Sequence, residues 1–286
     1  MKPLWAGKLE ANLLVAKGQA QNEHDLVWQA AIAVLAAFTA PDYLQRILGG
    51  SDPFIKMEGK RPVPKYAWRI MEFADILFTL RHCVGFGVLL ERLLTRPLRE
   101  AFYEGQAAAT LHDAGLSIAI RPESGVRGSD FDFSASSTEG TLNCEVTALT
   151  RFSSETLRNS LNSKRKQLPE DGPAIIFCTL PDDWIFDDNY DVLDRCVETF
   201  LRGTGRVNAV VPAWCVTHSL EDDTTLTVRT TRPIANHRPR TAFNLSFLLR
   251  EHHSAVIGQA ALRMGRMPDS AVAGTHLNYM AYLWSL

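Results

Sequence analysis

The sequence predicts an α/β fold, with helices packed about a central mixed β-sheet and a helical region ahead of it. Three observations predict this. The first hundred residues carry apolar side chains mainly at helical spacing. From residue 116 to residue 230, short strand-like runs alternate with helical ones. One run, Ala174–Leu180, is apolar but for Thr179, as in a strand covered on both faces.

Taken in order, residues from about 23 to 48 form a helix through Leu26, Ala30, Ala33, Leu35 and Phe38, closed by Gly49-Gly50. A loop rich in proline and glycine follows over residues 51–64, with Lys56, Lys60, Arg61 and Lys65 in and beside it. A second helical block runs from about 66 to 95, and Pro97 starts another helix at its first turn. That helix repeats Leu98, Ala101, Phe102, Gly105, Ala109 and His112, and ends at Gly115. Leu116–Ile120 reads as a strand and 124–128 as a turn. Asp130–Ser134 and Leu142–Leu149 read as a hairpin around the small, polar Ser136–Gly140. Ser153 or Ser154 caps a helix reaching Leu168, with Glu155 in its first turn. After the buried run come a helix over about 190–202 and a strand over 207–216, whose Pro212 suggests an edge or a bulge. A strand over 226–230 and a mainly helical tail complete the chain. The expected division is a helical region (1–96), a sheet-bearing core (97–241) and a mainly helical tail (242–286).

Composition bounds the function. In 286 residues the formal net charge is only −2, so any phosphate binding comes from a local patch rather than a basic tail. The five cysteines are widely spaced, with no C-x-x-C pair. This argues against a zinc cluster or disulfide framework and for a reducing, cytoplasmic setting. Met1-Lys2-Pro3-Leu4-Trp5 opens no apolar run of signal-peptide type, and no stretch approaches the roughly 20 apolar residues of a membrane span. No membrane partner is expected.

The chemistry lies in the hairpin. Side chains alternate along a strand, so Phe131 and Phe133 share one face, and Asp130 and Asp132 the other. In the partner strand Glu145 and Thr147 oppose the face of Cys144, Val146 and Ala148. A turn centred near Thr138 sets Asp132 opposite Glu145 and Asp130 opposite Thr147. Two carboxylates about 5 Å apart repel unless one is protonated or a cation lies between them. An oxygen cluster of this kind suits Mg²⁺ or Mn²⁺. Glu104, at the margin of the buried face of its helix, is placed to reach the same sheet.

A helix with Glu104, a strand, Gly128-Ser129-Asp130-Phe131-Asp132-Phe133, Asn143-Cys144-Glu145-Val146-Thr147, a basic helix and a buried strand together resemble the PD-(D/E)XK nuclease superfamily over about residues 97–216. Lys166-Gln167-Leu168 before the buried strand resembles the helix-to-strand passage of these enzymes. The resemblance implies a restriction-endonuclease-like core and Mg²⁺-dependent hydrolysis of nucleic-acid phosphodiesters, with bacterial genome defence or DNA processing as the setting. It implies Glu145 as the metal-binding acid of the D/E-x-K half, Asp130 or Asp132 as the earlier aspartate, and Glu104 as the optional helix glutamate. The pairing above favours Asp132. Thr147 departs from the pattern by standing where the lysine belongs, and the residue expected to replace that lysine is Lys164 or Lys166. The alternative is a nuclease-like protein without catalysis, acting as a nucleic-acid or protein interaction module.

Lys164 and Arg165 are also expected to touch phosphate. So is a second basic segment with Arg229, Arg232, Arg238 and Arg240. The partner class is nucleic acid, with DNA favoured over RNA. A protein partner on the helical region and a homodimer are left open. His252-His253 reads as structural, and Gly203-Thr204-Gly205-Arg206 precedes a strand, so it is not a phosphate loop.

Overall fold

The computed structural model describes residues 4–21, 23–48, 54–55, 57–58, 61–62, 64–126, 128–181, 184, 190–219, 225–248, 252–257 and 277–286. Gly49-Gly50, Lys56 and Lys60, and residues 258–276 of the expected helical tail, lie outside the described residues. The chain is α/β and divides into two units. One comprises Met1–Arg81, Val216–Arg229 and Ser254–Leu286, and the other His82–Cys215 with Thr230–His253. Residues 82–96, grouped by sequence with the helical region, fall in the sheet-bearing second unit. No described helix is long and apolar enough to cross a membrane.

The first unit contains α1 (Leu4–Gln19), α2 (Glu23–Phe38), α3 (Pro41–Leu48) and α4 (Pro64–Leu80). Helix α1 was not expected from the sequence. It buries Leu9, Leu13 and Ala16, four and three residues apart on one stripe, and Asn12 donates to the Ala33 carbonyl of α2. The helix expected over 23–48 is two helices. Pro41 disfavours helical backbone at Ala40 and opens α3 at its own first residue. The expected 51–64 loop holds a two-residue ladder between β1 (Met57–Glu58) and β2 (Arg61–Pro62). Among the described residues of the tail are a strand, β10 (His252–Ile257), and a helix, α9 (Asn278–Ser285). Tyr279 and Leu283 of α9 are fully buried, and Asn278 bonds Thr79 of α4.

The second unit opens with α5 (Phe86–Thr95), which the sequence joins to the preceding helix. The break falls at residues 81–85, where Val84 bridges to Ala119 and Gly85 takes φ 78°. A Cβ on Gly85 would overlap the Ile120 carbonyl, so this close approach needs glycine. Next come α6 (Leu98–Asp113), β3 (Ser117–Ile120), β4 (Phe133–Ser137), β5 (Gly140–Ala148), α7 (Ser154–Gln167), β6 (Ala174–Thr179), α8 (Tyr190–Arg202) and β7 (Ala209–Ser219). After these come β8 (Thr225–Thr231) and β9 (Ile234–Ala235). Strands β3, β4 and β5 run antiparallel, while β5, β6 and β7 run parallel, so the sheet is mixed and open. All six residues of β6 are buried, Thr179 among them, as its nearly continuous apolar run requires.

Pro212 is not on an edge. β7 pairs with β6 on one side and with β8 and β9 on the other. The Pro212 carbonyl accepts from Arg232 N at 2.9 Å, so its missing N–H faces the break at Arg232-Pro233 between β8 and β9.

Candidate active site

The hairpin register is Phe133↔Cys144, Ser134↔Asn143 and Ala135↔Leu142, which sets Asp132 one step before the ladder and beside Glu145. Asp132 remains tied to both neighbours. Its backbone carbonyl accepts from Arg121 N at 3.1 Å, and its Oδ2 accepts from Val146 N at 2.8 Å. Strand β4 begins three residues later than the sequence suggests. Gly128 takes φ 84°, and Asp130 Oδ1 accepts from Ser124 N at 2.6 Å and Gly125 N at 3.3 Å. Asp130 thus ties the 124–130 loop together, and the structure does not bring it to Glu145. The expected row of Asp130, Asp132, Glu145 and Thr147 on one face is therefore reduced to the last three.

Glu145 is completely buried. A buried carboxylate is costly without compensation, and here the compensation comes from α7. Leu157, Leu161 and Lys164 recur at i, i+4 and i+7, so the stripe that buries the two leucines also turns Lys164 toward the sheet. Its Nζ lies 2.7 Å from Glu145 Oε2 and 3.8 Å from Asp132 Oδ2. Neither Glu145 oxygen has a hydrogen bond of good angle. Thr147 hydrogen-bonds Ser160 of the same helix at 2.7 Å and lines the cleft beside Lys164.

Glu104 closes the opposite wall. It is buried and paired directly with Arg92, while Arg96 Nη1 lies 3.7 Å from its Oε2. Arg92 also donates to the Asp132 carbonyl at 3.3 Å and to the Arg121 carbonyl. Arg96 reaches Glu123 in the neighbouring loop. A cleft of about 250 Å³ is lined by three acids, Glu100, Glu104 and Asp132, and two bases, Arg96 and Lys164, with Tyr103 and Thr147 between them, while the buried Glu145 and Arg92 touch these residues from outside the lining.

Sequence reading missed Arg92 and Arg96. The signal was present, because both continue the Phe86, Leu89, Leu93 stripe, where an arginine demands a buried partner.

The ionisation follows from burial and crowding. Burial first, then the Asp132 charge, pushes the Glu145 carboxyl up to about 9, against the pull of Lys164. Burial and Asp132 likewise push Glu104 up to about 7, with Arg92 and Arg96 opposing. Burial works to lower the Lys164 ammonium, but Asp132, Glu145 and Glu104 outweigh it and hold it above its ordinary value. Lys164 close to Glu145 argues for an ion pair, whereas the raised Glu145 argues for a retained proton. Burial settles the direction: at neutral pH Glu145 keeps its proton, with the Lys164 ammonium held beside it.

A pair of carboxylates, one with both oxygens short of a hydrogen-bond donor, suits Mg²⁺ or Mn²⁺. Mg²⁺ is commonly held by one or two carboxylates, with water and substrate phosphate completing its sphere. Among the described residues, no group of three or more His, Cys, Asp or Glu is arranged to hold an ion.

The other expected contacts are dispersed. Lys166 is exposed on α7, two residues round from Lys164. In the basic segment, Arg229 pairs with Glu72 at 2.5 Å, Arg232 with Asp194 at 2.7 Å and Arg240 with Asp171 at 3.7 Å. Arg238 is exposed, beside Asn236 and His237. Arg165 lines a separate groove between α7 and α8.

No family model, no curated protein and no solved structure matches the chain. The geometry and the sequence therefore carry the functional reading alone.

Proposed function

We propose that this protein is a metal-dependent nuclease with a restriction-endonuclease-like core, in which α7 supplies the cation that the D/E-x-K motif has lost at Thr147. The observation that carries the proposal is Lys164 Nζ, 2.7 Å from Glu145 Oε2 and 3.8 Å from Asp132, at the wall that Thr147 also lines. Asp132 and Glu145 would hold Mg²⁺ or Mn²⁺. When bound, the ion lowers the pKa of a water and neutralises phosphate charge. Lys164 stabilises the negative charge that develops on the phosphate oxygens. Glu104, with a carboxyl near 7, is placed to accept the proton of the attacking water. Arg92 and Arg96 fix the orientation of Glu104.

The test is cleavage of single- and double-stranded DNA and RNA with Mg²⁺ or Mn²⁺, wild type against Glu145→Ala. Metal-dependent cleavage lost in the variant supports the reading, and equal activity in both removes it. A nuclease-fold interaction module without catalysis is the second reading. It is favoured by the way Lys164, Arg92 and Arg96 already neutralise the acids within the fold. Nucleic-acid binding without cleavage under any metal would select it.

A further inference from the structure

Helices α7 and α8 enclose a groove of about 540 Å³ away from the Lys164 cleft. Arg158 and Arg165 of α7 and Arg195 of α8 line it, with Asn162, Thr199 and the apolar Phe200. No carboxylate is among the described lining residues. In a chain of net charge −2, three guanidinium groups thus face one concavity without an acid. Among the described residues none of the three forms an ion pair, whereas Arg229, Arg232 and Arg240 each have one. Two of the guanidinium groups are held in place by backbone. Arg195 Nε donates to the Asp191 carbonyl at 3.0 Å, and Arg165 Nη1 to the Gly203 carbonyl at 3.5 Å. The acids of the same helices, Glu155, Asp191, Asp194 and Glu198, occupy positions outside the groove lining, and Asp194 is taken up by Arg232.

Clustered arginines without acids favour an anion, and the planar fork matches phosphate oxygens in pairs. Arg158 and Arg165 are seven residues apart, roughly 10 Å along the helix, about three nucleotide steps of a stacked strand. A concave groove between two helices admits a flexible chain, while a duplex presents its phosphates on a convex body. The apolar wall offers base contact without sequence choice. Arg165 follows Lys164 directly, about 100° round α7, so a strand in this groove runs on the helix that supplies the cleft's cation.

We propose that the α7–α8 groove binds the phosphates of a single-stranded nucleic-acid segment, as a second contact beyond the cleft. This rests on the nucleic-acid reading above but not on cleavage. The test is fluorescence anisotropy of the full chain with a labelled 20-nucleotide strand, and with the corresponding duplex, from 50 to 300 mM KCl. EDTA is present, so no cleavage intervenes and the result is separate from the cleavage test. Wild type is expected to prefer the single strand. Arg158→Ala/Arg195→Ala is expected to bind it at least tenfold more weakly, with the salt slope reduced by about 1.4, or 0.7 per lost contact. Arg158→Lys/Arg195→Lys is expected to retain most of the slope. Equal affinity and slope in wild type and the alanine variant overturn the proposal, as does wild type that binds tripolyphosphate but no strand. Circular dichroism confirms that the variants, changed only at exposed side chains, are folded.

Discussion

Replacing Glu145 by glutamine removes a proton from the folding equilibrium, and the effect can be worked from the site. Its carboxyl is fully buried and sits at about 9, against 4.5 for an ordinary glutamate. Between those values the folded protein keeps a proton that the unfolded chain releases. The stabilising contribution is therefore complete below pH 4.5 and is lost as pH rises through 9. One retained proton corresponds to about 1.4 kcal/mol per pH unit, so the folded state loses roughly 2–3 kcal/mol from this group between pH 6 and 8. Glu104, raised to about 7, steepens the fall below that value. The assay is urea unfolding of wild type and Glu145→Gln at pH 6, 7, 8 and 9 without divalent metal. Wild type is expected to weaken steadily with pH, and the variant to weaken by about one proton's slope less. Parallel pH dependences in the two proteins refute the reasoning, because they place no retained proton at Glu145.

Lys164→Met is expected to lower metal-dependent cleavage by about 10²–10³-fold, the usual loss when a preorganised charge-stabilising donor is removed. Adding Thr147→Lys to that variant returns an ammonium to the same wall and is expected to recover part of the rate in single-turnover assays. The recovery costs the Thr147–Ser160 hydrogen bond, about 1 kcal/mol of stability. Gly85→Ala is expected to lose more than about 1–2 kcal/mol in urea unfolding, from positive φ and from overlap with the Ile120 carbonyl. Because Gly85 immediately precedes the helix that carries Arg92 and that Arg96 caps at its C-terminus, the same variant is expected to lose activity as well.

What the sequence made legible was periodic. Strand parity and the small turn placed Asp132 beside Glu145, and the structure has that register. The nearly continuous apolar run of β6 identified a buried strand for the same reason. Breaks in helices were harder to read. Pro41 was visible in the sequence, yet apolar spacing ran across it. At residues 81–85 the cause is tertiary, since Val84 bridges to Ala119. Asp130 was misplaced because the amides of Ser124 and Gly125 hold its carboxylate, and parity takes no account of such a loop. The basic segment looked open because its acids lie far away in the chain: Glu72 for Arg229, Asp194 for Arg232 and Asp171 for Arg240. Lys164, by contrast, could be singled out from Lys166 by extending the Leu157–Leu161 stripe by one further turn.

The central claim is that Asp132 and Glu145 together hold a catalytic divalent ion beside Lys164. Anomalous diffraction from crystals soaked in Mn²⁺ tests it most directly. The account predicts a peak within about 2.0–2.6 Å of a carboxylate oxygen of both residues, absent from Glu145→Ala crystals. A protein that cleaves nucleic acid with Mn²⁺ yet shows its peak elsewhere, or the same peak in Glu145→Ala, would contradict it.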